Sequence, residues 1–109
     1  MQNEICAAIK ARKVITFHYK HQNRTVEPHI LGYDSDGDLT LSAWQTHGGS
    51  SQGWRDFHVS KLHGLSITGQ SFDKPRQGYN PNDSTLSRIV CRGFYPDFTD
   101  SLVKCKFAC

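Results

Sequence analysis

No stretch of this 109-residue sequence approaches the ~18 consecutive apolar residues that a membrane-spanning helix requires. The N-terminal MQNEICAAIK carries Glu4 and no long apolar run, so no secretory leader is expected and the chain is expected to work in the cytoplasm. Cysteine is sparse. Cys6, Cys91, Cys105 and Cys109 include no pair at the two-residue gap of zinc and redox motifs, so no metal site is expected and reduced thiols are. Acidic residues are absent between Glu4 and Glu27, a stretch holding Lys10, Arg12, Lys13, Lys20, Arg24, His18 and His21. The acids gather instead at Asp34, Asp36 and Asp38, so one end of the domain is expected to be positive and a hairpin tip negative. Catalytic signatures are missing too. The six histidines are scattered, no serine elbow or activated cysteine is present, and the Gly48–Gly49 loop is not followed by the helix of a phosphate-cradling motif. An enzyme is therefore not expected, and no cofactor is implied.

What is present describes a small, mainly β domain. The length suits one domain with a modest core. Residues 3–12 have an apolar stripe at Ile5, Ala8 and Ile9, with Asn3 placed to cap and basic residues near the end, which predicts a short helix. Residues 14–20, VITFHYK, predict a strand with Ile15, Phe17 and Tyr19 on one face and Val14, Thr16 and His18 on the other. Residues 24–33 predict a second strand, which Pro28 makes an edge, a bulge or a bend. Asp36-Gly37 is a hairpin signal. After it, Leu39, Leu41 and Ala43 alternate with Thr40, Ser42 and Trp44. WRDFHV predicts a fourth strand, with Arg55, Phe57 and Val59 on one face. LSIT predicts a fifth, with Leu65 and Ile67 inward. Five short strands behind one helix suggest a small barrel, which would remove exposed edges. Residues 84–93 read as a short helix, capped by Ser84 and stopped by Gly93, or as a further strand. The aromatic, apolar tail from Phe94 to Cys109 either packs on the barrel or is exposed.

The segments AIKARKVITFHYK, RTVEPHIL, LTLSAW and WRDFHVSKLHGLSIT, in this order and spacing, resemble the bacterial WYL domain. The resemblance spans about Asn3 to Phe72 and divides the chain into a domain over 1–72 and a C-terminal extension over 73–109. It is carried most specifically by Arg24-Thr25-Val26-Glu27-Pro28, Arg55-Asp56-Phe57-His58 and Lys61-Leu62. It implies an SH3-like or Sm-like five-stranded barrel that senses a nucleic acid or nucleotide. Many relatives sit behind a DNA-binding helix-turn-helix in transcription regulators, or accompany phage-defence and CRISPR systems. The name-giving Trp-Tyr-Leu triplet falls on Leu39-Thr40-Leu41, where only the leucine is kept. His58 stands where relatives often carry arginine. The single N-terminal helix belongs to the domain, so a free-standing bacterial sensor or an accessory subunit is expected rather than a repressor.

The expected ligand site is a rim of the barrel. Arg24 and Arg55 offer planar forks of donors that grip phosphate with two bonds. Phe57 shares Arg55's face, and Lys61 adds charge. His58 gains its charge only in mildly acid solution, so a site containing it binds anions more tightly as pH falls. Tyr33 and Trp44 are either stacking platforms for bases or packing partners. The expected ligand is single-stranded nucleic acid or a nucleotide. The alternative is a protein-interaction or homo-oligomerisation module, drawn from the apolar tail and the Pro28 strand. No membrane partner is expected.

Overall fold

A computed structural model describes residues 1–49 and 51–94. Helix α1 (Gln2–Ala11) leads into β1 (Lys13–Tyr19), β2 (Gln22–Asp34), β3 (Leu39–His47) and β4 (Gly53–His58). A 3-10 turn (Val59–Lys61), β5 (His63–Ser71) and β6 (Leu86–Arg92) follow. The mainly β class with one N-terminal helix is thus as the sequence indicates. Among the described residues no helix is long and apolar enough to cross a membrane.

Helix α1 buries Ile5, Ala8 and Ile9, the stripe its periodicity marks. Its cap differs from expectation: Met1 is the N-cap, no side chain caps it, and Asn3 lies inside the first turn. The helix ends where Arg12 turns left-handed at φ 57° and its N–H returns to the carbonyls of Ala8 and Ile9. Strands β1 and β2 are joined by a two-residue turn, Lys20 and His21, both at positive φ. Mirror-image turns of this kind match the right-handed twist of the flanking strands.

The sheet runs β4-β3-β2-β1-β5, antiparallel throughout, with β6 paired to β2. Residues 22–26 of β2 pair with β1, and residues 30–34 pair with β6. Pro28, which has no N–H to give, falls in the gap where β2 exchanges one neighbour for the other, and the β2–β3 register shifts between Pro28 and Ile30. Pro28 therefore marks a bulge in a central strand, not an edge.

Of the two readings of residues 84–93, strand is the one seen, over Leu86–Arg92. The reason is non-local: the far half of β2 offers an open ladder, and β-branched Ile89 and Val90 suit it. Ser84 caps nothing; Asp83 instead shapes the turn, accepting the N–H of Thr85 at 2.9 Å and its hydroxyl at 2.7 Å.

The sheet curls strongly. Phe57 on β4 meets Phe17 at 4.9 Å and Tyr19 at 5.0 Å on β1, with two strands between them in the order, in edge-to-face pairs. The N–H of His58 donates to the Tyr19 hydroxyl at 3.2 Å. Among the described residues no ladder joins β4 to β5, so the sheet is not closed. Ile67, expected inward, is 44% exposed: it lies opposite Ile15 but on a strand with no further neighbour among the described residues.

Cys6 on α1 and Cys91 on β6 form a disulfide, Cα–Cα 5.9 Å across 85 residues of sequence. This corrects the expectation of free thiols at these two positions. The spacing gives no hint of the pair, because the fold alone brings helix and last strand together. Cys105, Cys109 and the tail beyond Phe94 lie outside the described residues.

Candidate functional site

The alternation of β1 turns Ile15, Phe17 and Tyr19 into the core and leaves Thr16 and His18 outward. Across the ladder, Thr16 faces Thr25, Phe17 faces Arg24 and His18 faces Asn23. On the other side of β1, Thr16 faces Ser66 and His18 faces His63. These three strands frame a cavity of about 430 Å³ lined by Thr16, His18, Asn23, Arg24, Thr25 and His63 among others, with no carboxylate. The His18 imidazole lies 3.0 Å from Asn23 Oδ1.

Arg24 is half-buried and reaches across β2 to β3. Its Nη1 donates to Gln45 Oε1 at 3.0 Å and its Nη2 to the Tyr19 carbonyl at 3.3 Å. The guanidinium lies 5.7 Å from the Tyr19 ring and 5.9 Å from the Phe57 ring. Its Nε is buried and has no hydrogen-bond partner among the described residues. Gln45 is fully buried and donates in turn to the carbonyls of Gly48 and Ser51. Gly48 must be glycine: at φ 94° its backbone sits so close to Asn23 that a Cβ would strike that carbonyl.

The seven residues expected at one rim are spread over the molecule. Arg24 alone lines the basic cavity. Phe57, 1% exposed, is core beneath Arg24. Arg55 binds the Ser51 carbonyl at 2.8 Å and its hydroxyl at 3.1 Å, so both arginines hold the same loop through Gln45 and Ser51. His58 sits 3.6 Å from Asp34 at the acidic hairpin tip. Asp34, whose carboxyl is held below the usual range chiefly by the Asp38 N–H, accepts the N–H groups of Asp36 and Asp38, both at 2.9 Å. With Asp38 these two residues place three potential metal-ligand atoms within 4.8 Å of one another at the surface. Tyr33 is covered by Arg88, 4.7 Å from its ring centroid. Trp44 packs between Trp54 at 5.8 Å and Arg76 at 5.1 Å. Lys61 is exposed at the end of the 3-10 turn.

The opposite face is built by residues outside the expected ligand site. Arg76 forms a two-bonded pair with Glu27, Nε–Oε1 2.7 Å and Nη2–Oε2 3.0 Å. It straps the 72–83 segment across β2. His29 is fully buried there, with Trp54 at 4.8 Å, Tyr79 at 5.0 Å and Phe72 at 5.3 Å. Its Nε2 accepts the Arg76 N–H at 3.1 Å and its Nδ1 lies 2.8 Å from the Glu27 carbonyl, which assigns the proton to Nδ1. Burial lowers the His29 pKa, against the opposing effects of the Glu27 carbonyl and carboxylate. Burial raises the Tyr79 phenol to about 12, and its hydroxyl donates to the Gly93 carbonyl at 2.7 Å.

His63 and Asn23 are the basic-cavity residues that the sequence reading passed over. The acid-free stretch pointed to their neighbourhood, but only strand pairing brings residue 63 beside residue 18. Comparison of the chain with protein-family models, with curated proteins and with solved structures finds no match.

Proposed function

We propose that this domain is a binding module for a phosphate-bearing ligand, single-stranded nucleic acid or a nucleotide, seated in the cavity between β1, β2 and β5. The observation that carries the proposal is the lining: Arg24, His18, His63, Asn23 and two threonines supply donors, and no carboxylate opposes them. Phosphate contacts of this kind are electrostatic and position the backbone without reading sequence. Lys20 and His21 at the β1–β2 turn extend the positive surface.

The likeness of residues 24–28 and 55–62 to WYL domains supports the same reading. So does the curl of the sheet, which an SH3-like or Sm-like half-barrel would share. In this reading Arg24 touches the ligand, while Arg55 holds Ser51, whose carbonyl helps to fix Gln45 behind it. The module recognises its ligand and performs no chemistry on it. Cytoplasmic action, expected from the sequence, requires the fold to survive without the Cys6–Cys91 bond, because such bonds are rare in reducing compartments.

Fluorescence anisotropy with short labelled DNA and RNA strands across a salt series tests the proposal. The expected result is binding that weakens steeply with salt and is lost in Arg24→Ala and reduced in His63→Ala. Absence of binding to any oligonucleotide or nucleotide at low salt would remove it.

A second reading rests on β5. Among the described residues it is an outer strand with exposed Ile67, and its outer edge offers a place for a strand from a protein partner or a second copy. Sedimentation that shows a monomer at all concentrations would count against self-association.

A further inference from the structure

A second cavity, of about 240 Å³, lies on the opposite face, between the β2–β4 surface and the 78–83 segment. Its chemistry is the reverse of the first. Ile30 lies in its lining, Trp54 and Tyr79 supply rings, Asp56 and Asp83 supply carboxylates, and Ser42 adds a hydroxyl. No lysine, arginine or histidine lines it.

The alternation of β3 and β4 builds this wall. Ser42 pairs with Asp56 and Trp44 with Trp54, which sets Asp56 and Trp54 on the face away from Phe57. The two rings are fixed by their polar ends. Trp54 Nε1 donates to the Gln77 carbonyl at 2.9 Å, and the Tyr79 hydroxyl donates to Gly93. Their planes lie 23° apart with centroids at 6.2 Å, so they form one aromatic surface. Asp83 is fixed by the Thr85 turn. Asp56 is exposed at the rim, yet its carboxyl is pushed up by partial burial, against a hydrogen bond with Ser42 and the opposing effect of His58, with Asp83 repelling in the same direction as burial. The two carboxylates therefore feel one another across one cavity.

We propose that this cavity binds an organic cation, an ammonium or guanidinium head group, with its charge between Asp56 and Asp83 and its apolar part on Trp54 and Tyr79. Aromatic faces attract cations, and a pair of carboxylates adds charge-assisted hydrogen bonds. The same fold already seats guanidinium groups on rings elsewhere, Arg12 on Phe94 at 4.3 Å and Arg88 on Tyr33 at 4.7 Å. The volume is below the ~300 Å³ at which pockets for drug-sized ligands begin, so the site takes a head group or one side chain. Free amines and the lysine or arginine side chains of a peptide share this chemistry.

The test is calorimetric titration of the full chain with n-butylammonium, ethylguanidinium and a capped lysine dipeptide, followed in parallel by the Trp54 indole N–H resonance. The expected result is binding of at least one of these, with the indole resonance shifted, and a loss of roughly tenfold or more in affinity in Asp56→Asn, as for removal of a charged hydrogen-bond partner. Asp83→Asn, which keeps the oxygen that holds the Thr85 turn, gives a second variant should the first not fold. Binding of the dipeptide as tight as that of the free amines assigns the site to basic polypeptides; binding of the amines alone assigns it to small metabolites. Arg24→Ala leaves these titrations unchanged, because Arg24 lines the other cavity, so failure of the phosphate site and failure of this one are read separately. No binding of any of the three in the millimolar range, or affinity undiminished in both aspartate variants, would overturn the proposal.

Discussion

Arg24 and Gln45 are joined by a hydrogen bond of 3.0 Å that links the basic cavity to the Gly48 and Ser51 carbonyls. Gln45 is fully buried, and Arg24 is the donor to its side-chain oxygen. Arg24→Ala should therefore cost stability as well as binding. Leaving a buried acceptor unpaired costs about 1–3 kcal/mol. Urea denaturation should show a loss in that range, and an unchanged midpoint would mean that the bond contributes nothing. His63→Ala, which breaks no such buried pair, separates binding from folding.

Gly48 allows the loop to approach Asn23 at φ 94°. Gly48→Ala should lower stability by more than the ~1 kcal/mol that a glycine-to-alanine exchange adds at a compatible position, because both strain and collision oppose it. Thermal melts of the two proteins decide this, and a variant as stable as the parent would contradict the close approach.

His29 makes stability depend on pH. In the folded protein burial lowers its pKa and its Nε2 must stay unprotonated to accept the Arg76 N–H. The unfolded chain takes up a proton on this residue near pH ~6.5. Below that pH the unfolded state binds more protons than the folded one, so stability falls with falling pH until the folded imidazole titrates. Above it the contribution is complete and flat. Melting temperatures between pH 7.5 and 5 should decline on the acid side, and His29→Gln should flatten the decline. An identical slope in that variant would assign the effect to other groups.

The Cys6–Cys91 bond closes a loop of 85 residues. In the chain-entropy account a loop of this length is worth on the order of 4 kcal/mol. Reduction should lower the melting temperature by about 15 °C or more, at the 4–8 °C per kcal/mol expected for a domain of this size. A melt indifferent to dithiothreitol would show that the bond is dispensable and would remove the obstacle to work in a reducing compartment.

Local patterns were legible wherever one element carries its own signal. The Ile5, Ala8 and Ile9 stripe, the alternation of β1 and β3 and the Asp36-Gly37 turn all appear in the structure. Relations between distant segments were not. Residues 86–92 become strand because β2 offers them a ladder beyond Pro28, and Cys91 reaches Cys6 only through that pairing. The Glu27–Arg76 pair spans 49 residues and left no trace in composition. Of the arginines marked from the sequence, Arg24 lines a cavity while Arg55 is engaged with Ser51, a difference set by loop geometry.

The most direct test of the central claim is a backbone and histidine chemical-shift titration of the full chain with a short single-stranded oligonucleotide at low salt. Shifts centred on Thr16, His18, Asn23, Arg24, Thr25 and His63, reversed by added salt, are the predicted result. Shifts centred instead on Trp54 and Tyr79, or none at all, would contradict it.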